Sequence, residues 1–386
     1  MKIFSFVFVD LLRIMIFLLV QVLIAITNAF LIKRLGKFPK AKRQPKISIL
    51  VPARNEEKTI KNCINSLLQQ NYDNFEVIVL DDNSIDQTKE ILKNIQSRHL
   101  RIIEGKPLPA NWTGKSWACQ QLASEASGEL IFFTDADTIH HPSTIAYAVD
   151  AMEANKVDLL TAIVRNEVVT FGEMITIPFP TYSIFTFLPL VVAYTLPKST
   201  AFSAANGKFM FFRKKVYEQI GGHAAIRNNA VEDIELGKLI KKNGYRWRLV
   251  DASRLVYCRM YQNFSEALQG FTKNYFALFG YQLLVALFVW LWLALITWYP
   301  LVAITIHIIA NRYNDQFCYA VGSIIATSFL WLLTSLKFSF PIYLFLLYPV
   351  IITITLFIGL RSMTMTILGR TIWKGRQLPK KKIRLI

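Results

Sequence analysis

Cysteine is scarce in this 386-residue chain: Cys63, Cys119, Cys258 and Cys318 stand far apart, without the paired spacing of a zinc site, and read as ordinary buried thiols. Acidic residues are also few, 26 against 44 Lys and Arg, which leaves a formal charge of +18. No nucleic-acid recognition motif accompanies that excess, and it gathers beside the apolar ends, as at Lys380, Lys381 and Lys382, rather than in one stripe. Nucleic acid is therefore not the expected partner; an anionic membrane surface is. What the chain has in abundance is apolar side chains, 53% of the total and unevenly spread.

Residues 14–32 carry only Gln21, Thr27 and Asn28 as polar interruptions, and at about 1.5 Å per helical residue they match a bilayer core. A membrane-crossing helix is expected. Asp10 and Arg13 lie upstream and no small-x-small cleavage pattern follows, which argues against a cleaved signal peptide. Lys33, Arg34, Lys37, Lys40, Lys42, Arg43 and Lys46 come next, and such a basic cluster marks the cytoplasmic side of the cell membrane. Toward the other end, residues 281–310, interrupted at Pro300, then 317–336 and 340–360 read as further membrane segments. If each crossed once, the basic tail would end outside, so either one segment is re-entrant or the first is a hairpin at Pro300. The expected division is an anchor and basic linker over 1–45, a catalytic domain facing the cytosol over 46–262, and an interfacial helix with membrane segments and tail over 263–386.

From Ile47 the pattern becomes βαβ. The β-rich runs at 47–51 and 75–80 flank a helical stretch near 57–69; helices near 86–98 and 115–127 and the apolar run at 130–133 follow. Near-continuous apolar strands separated by helices predict a mostly parallel, Rossmann-like α/β sheet covered on both faces. Ligands of such sheets bind beyond the carboxyl ends of the strands. Three polar segments stand at those ends: Pro52, Ala53, Arg54, Asn55 and Glu56; then Asp81, Asp82, Asn83 and Ser84; then Asp135, Ala136 and Asp137. Residues 175–197, broken by Pro178, Pro180 and Pro189, are not a straight span; a buried loop and an interfacial element shaping an acceptor tunnel are both open readings.

Two carboxylates flanking a small residue suit Mg2+ or Mn2+ held jointly with a diphosphate. Asp82 can accept hydrogen bonds from a base or ribose, and Lys115, near a helix start, can neutralise phosphate. Glu232 and Asp233 open a helical run that ends near Gly244.

With these motifs in this order, residues 46–262 resemble a family 2 glycosyltransferase of GT-A fold. The resemblance implies that Pro52, Ala53, Arg54, Glu56 and Asp82 surround the nucleoside, that Lys115 contacts the nucleotide and that Asp137 coordinates the metal. Asp135, with Ala136 between, would lie against the ribose or the metal shell. It makes Asp233 the general base, with Glu232 beside it. Residues 206–213, which include Gly207, and Gly221, Gly222 and His223 resemble acceptor-side segments of lipid-modifying members. The Gln-x-x-Arg-Trp motif of processive polysaccharide synthases is absent, its place taken by Gln269 to Asn274 with Lys273 near phosphate or lipid headgroups. Residues 107–119 and the tail Trp373, Lys374, Gly375 and Arg376 resemble the carotenoid- and hopanoid-associated subgroup.

The expectation is an inverting, metal-dependent enzyme moving a hexose, glucose foremost, from a UDP-sugar to a membrane-embedded isoprenoid such as a carotenoid acid or alcohol. A hopanoid, a polyprenyl phosphate or diacylglycerol is the alternative acceptor. From another class, a non-catalytic membrane interaction or transport protein with a degenerate transferase domain is the competing reading.

Overall fold

A computed structural model describes residues 10–196 and 198–385, so the start of the anchor at 1–9 and Pro197 lie outside the described residues. Seven strands form the main sheet, labelled here in chain order: β1 Ile47–Ala53, β2 Phe75–Asp81, β3 Leu100–Glu104, β4 Leu130–Phe133, β5 Leu159–Ile163, β6 Met210–Arg213 and β7 Trp247–Asp251. Their spatial order is β3-β2-β1-β4-β6-β5-β7, with β6 antiparallel to both its neighbours and the other pairings parallel. Leu50 pairs with Ile78 on one side and Phe133 on the other. All three are buried, as the unbroken apolar runs of a sheet covered on both faces require. The expected mostly parallel α/β sheet is what forms.

The helices are shorter than their periodicity suggested. The first covering helix spans Ile60–Leu68 and the second only Thr88–Lys93. The residues before each are used for turns: Glu56 N–H donates to Thr88 Oγ1 (2.7 Å) and Asn55 N–H to Ser84 Oγ (3.0 Å), which stitches the loop after β1 to the loop after β2. Asn55 and Asn83 take left-handed backbone conformations (φ 52° and 53°), which asparagine tolerates better than most residues.

Four helices among the described residues are long and apolar enough to cross a membrane: Leu11–Leu31, Leu283–Ile309, Asp315–Phe338 and Leu344–Ile367. Asn28, a polar interruption of the first, is fully buried and answered on both sides of its amide. Its Nδ2 donates to Phe185 O (2.9 Å) and Leu188 O (2.7 Å), and its Oδ1 accepts from Leu190 N (3.2 Å). That pins the proline-broken segment, which folds as helices Pro178–Phe187 and Leu190–Thr195, against the first apolar helix.

Pro300 lies inside the continuous helix Leu283–Ile309, so the hairpin alternative is corrected: a membrane helix tolerates proline where its surroundings satisfy the freed backbone. Helix Leu344–Ile367 starts beside Met174, whose Sδ accepts from Tyr343 Oη (3.1 Å), and ends where Phe276 N donates to Ser362 Oγ (3.0 Å). Between these, Ile358 packs with Ile177, Tyr261 and Phe271. Both ends therefore lie on the side of the sheet domain, and the tail returns to it.

Candidate active site

The loops beyond β1, β2 and β4 open into one cavity of about 1060 Å3. The first of them contributes Pro52, Ala53, Arg54 and Glu56, the second Asp82, and the third Asp135, Ala136 and Asp137. Lys115, Gly207, Glu232, Asp233, Lys273 and Trp373 line the same space. His223, with Gly221 and Gly222 before it, does not. Its Nδ1 is 2.8 Å from Tyr217 Oη, and its ring meets Phe133 edge-on at 5.0 Å. Burial pushes that imidazole down to about 3, so it stays neutral. His223 is thus corrected to a packing residue behind the site; its place in the chain gave no sign that Tyr217 would claim it.

Lys115 ties the pieces together. It stands in the first turn of helix Gly114–Glu125, where Thr113 caps the end by accepting from Ser116 N, and its Nζ lies 2.7 Å from Asp135 Oδ1 and 2.7 Å from Glu232 Oε1. Burial works against the charge on Lys115, but Asp135 and Glu232 outweigh it and hold the ammonium protonated. Burial likewise opposes ionisation of Asp135 and Glu232, and Lys115 keeps both below the usual carboxylate range.

Asp233 is held differently. Its Oδ2 accepts from Gly207 N (2.9 Å) and its Oδ1 from Ile234 N (2.8 Å), and no cation is hydrogen-bonded to it among the described residues. Burial, and next the charge of Glu232, push this carboxyl up to about 6. A base poised near neutral pH combines a useful ionised fraction with proton affinity. Gly207 makes the approach possible: a Cβ there would stand 3.0 Å from Lys115 Nζ and 3.5 Å from Glu232 Oε1.

The residues also fit a divalent cation. Asp137 Oδ1 is buried without a hydrogen-bond partner, an orphaned anionic oxygen of the kind a metal satisfies. Burial foremost raises the Asp137 carboxyl, with Lys208 opposing and Asp135 adding to the rise. No cluster of three His, Cys, Asp or Glu is present among the described residues, so a metal here needs oxygens from the donor as well.

Some of the site was not foreseen. Lys208, buried, donates to Asn166 Oδ1 (2.7 Å) behind Asp137. The tail forms a two-stranded hairpin over residues 372–377 whose Lys374 is ion-paired with Glu56 and whose Arg376 grips Asp82. Its subgroup-like motif was visible in sequence, but that it folds back over β1 and β2 was not. Away from the loops, the cavity is walled by Ile177, Pro180, Thr181 and Ile184 of the proline-broken segment and by Met365 of the last long helix.

Residues 48–221 match the family described as Glycosyl transferase family 2. Two similar proteins are named 4,4'-diaponeurosporenoate glycosyltransferase. That of Staphylococcus haemolyticus is 29% identical over 234 residues, covering 59% of this chain and 60% of that protein. That of Staphylococcus aureus is 27% identical over 231 residues, with the same coverage of each. The aligned part thus spans about 60% of the length of these curated relatives. A solved mannosyltransferase from Pyrobaculum calidifontis, in complex with GDP-Man and Mn2+, covers 92% of this chain and 98% of its own at 16% identity and a TM-score of 0.52. That likeness is one of fold, and the fold is GT-A.

Proposed function

We propose that this chain, which carries a family 2 glycosyltransferase domain, is a membrane-bound inverting hexosyltransferase. It moves glucose from a UDP-sugar to an isoprenoid acid or alcohol held in the lipid. The observation that carries this reading is one cavity in which a base poised at about 6, Asp233, shares walls with Asp137 and Lys115 and with apolar residues of a segment packed on a membrane helix. A water-insoluble acceptor and a water-soluble donor meet only at such a boundary. The names of the staphylococcal relatives support a carotenoid carboxylate as the acceptor.

Asp233 takes the proton of an acceptor hydroxyl as its oxygen attacks the anomeric carbon; the bond from that carbon to the diphosphate oxygen breaks, and the diphosphate leaves with the electron pair. A single displacement inverts the anomeric centre. A carboxylate acceptor is already ionised, and toward it Asp233 orients rather than deprotonates. Asp137, with Asp135 adjoining, is the residue that would hold Mg2+ or Mn2+, and such a metal supplies charge stabilisation to the departing diphosphate. The Pyrobaculum enzyme's Mn2+ agrees with this. Lys115 contacts the nucleotide while keeping Asp135 and Glu232 ionised and in place.

Three helices cross the membrane in this reading, and Leu344–Ile367 is the re-entrant segment. The basic residues 33–46 and the tail then share the cytosolic face with the catalytic domain.

The test is to give the purified protein in lipid nanodiscs labelled UDP-glucose with a carotenoid acid, a hopanoid and diacylglycerol in parallel. Labelled carotenoid ester is expected. Label on the other lipids alone would replace the acceptor, and nucleotide-independent partner binding with no transfer would favour the non-catalytic class.

A further inference from the structure

We propose that the tail hairpin at residues 372–377 is a working part of the donor site, its Lys374 and Arg376 neutralising Glu56 and Asp82 so that the pocket accepts a nucleoside diphosphate. This rests on the donor reading above and adds residues outside the matched domain to it.

The geometry is that of a wall rather than a plug. Arg376 meets Asp82 in fork geometry, Nη1 to Oδ2 at 2.5 Å and Nη2 to Oδ1 at 3.2 Å. Lys374 Nζ binds Glu56 and also donates to Arg54 O (2.9 Å). Gly114 leaves room for this, since a Cβ there would stand 2.7 Å from Arg376 Nη1. The hairpin is fixed from both sides. Before it comes the helix that ends at Ile367; after it, Lys381 is bonded to Asn228, and Leu283 N donates to Arg384 O (2.8 Å). A strap meant to swing out would not be tied down at its far end.

Charge explains the need. A nucleoside diphosphate is a polyanion, and Glu56 and Asp82 face its expected position; uncompensated, they repel it. With the hairpin in place each has a cation. A carboxylate held by an arginine fork still has lone pairs free for a base N–H, so Asp82 keeps its expected part. Trp373 adds a further contribution: Lys273 Nζ sits 3.9 Å from the centre of its ring, and both residues line the same cavity.

The experiment is UDP titration by calorimetry on the full-length protein in nanodiscs, with Arg376→Gln and Lys374→Gln beside the wild type. Roughly tenfold or greater weakening in each variant is expected, since each strips a charged hydrogen bond from the pocket. Unchanged or tighter binding, as removal of a blocking plug would give, overturns the proposal. Hydrogen exchange on the unmutated protein gives an independent answer: UDP is expected to slow exchange in residues 372–377, and unchanged or faster exchange there counts against it. Failure of every lipid acceptor in transfer assays would leave these binding results standing, whereas a wild type that binds no nucleotide overturns both readings.

Discussion

Lys115 Nζ lies 2.7 Å from Glu232 Oε1, so the first turn of one helix is ion-paired to the first residue of another far along the chain. The pair joins the donor-side loops to the helix that carries Asp233. Both partners are tied to backbone that begins a helix, where the dipole at the N-terminus favours the Glu232 charge.

Replacement of Lys115 by methionine leaves Asp135 and Glu232 without their shared cation. A hydrogen bond to a charged group contributes about 1.5–3 kcal/mol, so UDP affinity is expected to fall roughly ten- to a hundred-fold. Calorimetric titration checks it; unchanged affinity would remove Lys115 from the nucleotide site.

Gly207 lies where a side chain would press on Lys115 and Glu232. Gly207→Val is expected to lower kcat roughly a hundredfold through misplaced groups, with the thermal midpoint of the folded protein little changed. A kcat near that of the wild type would mean that the cluster tolerates displacement.

The pH profile follows from Asp233. A base acts when deprotonated, and its carboxyl is pushed up to about 6. Transfer to a hydroxyl acceptor is therefore expected to fall as pH drops through about 6 and to level off above it. With a carboxylate acceptor the fall is expected at lower pH, where the acceptor itself takes up a proton. Single-turnover rates across pH 4 to 8, roughly spanning the ordinary carboxylate and histidine ranges, separate the two.

Chelation tests the metal. Stripping the protein with EDTA is expected to stop transfer, with recovery on adding Mg2+ or Mn2+, and Asp137→Asn is expected to weaken Mn2+ binding in the presence of UDP, read by electron paramagnetic resonance. Full transfer in EDTA would remove the metal from the account.

Much of this site was legible in the sequence because the strands that lead into it, β1, β2 and β4, are mostly buried. The runs ending at Ala53, Asp81 and Phe133 are apolar almost throughout, so the acidic and basic residues just beyond them had to fall at strand ends. What was not legible depends on long-range packing. Hydropathy does not tell what a long apolar helix packs against, so the contacts of Leu344–Ile367 with Met174 through Tyr343 and with Phe276 through Ser362 emerged only from the structure. Nor does local pattern tell that Arg376 reaches Asp82, or that His223 turns toward Tyr217 and away from the cavity.

In the proposed mechanism Asp233 is the base, acting beside a separately assembled donor pocket. The most direct measurement is Asp233→Asn in nanodiscs, assayed for both UDP binding and single-turnover sugar transfer to a hydroxyl-bearing isoprenoid. UDP binding close to that of the wild type with transfer abolished is the expected result; full transfer by the folded variant would contradict it.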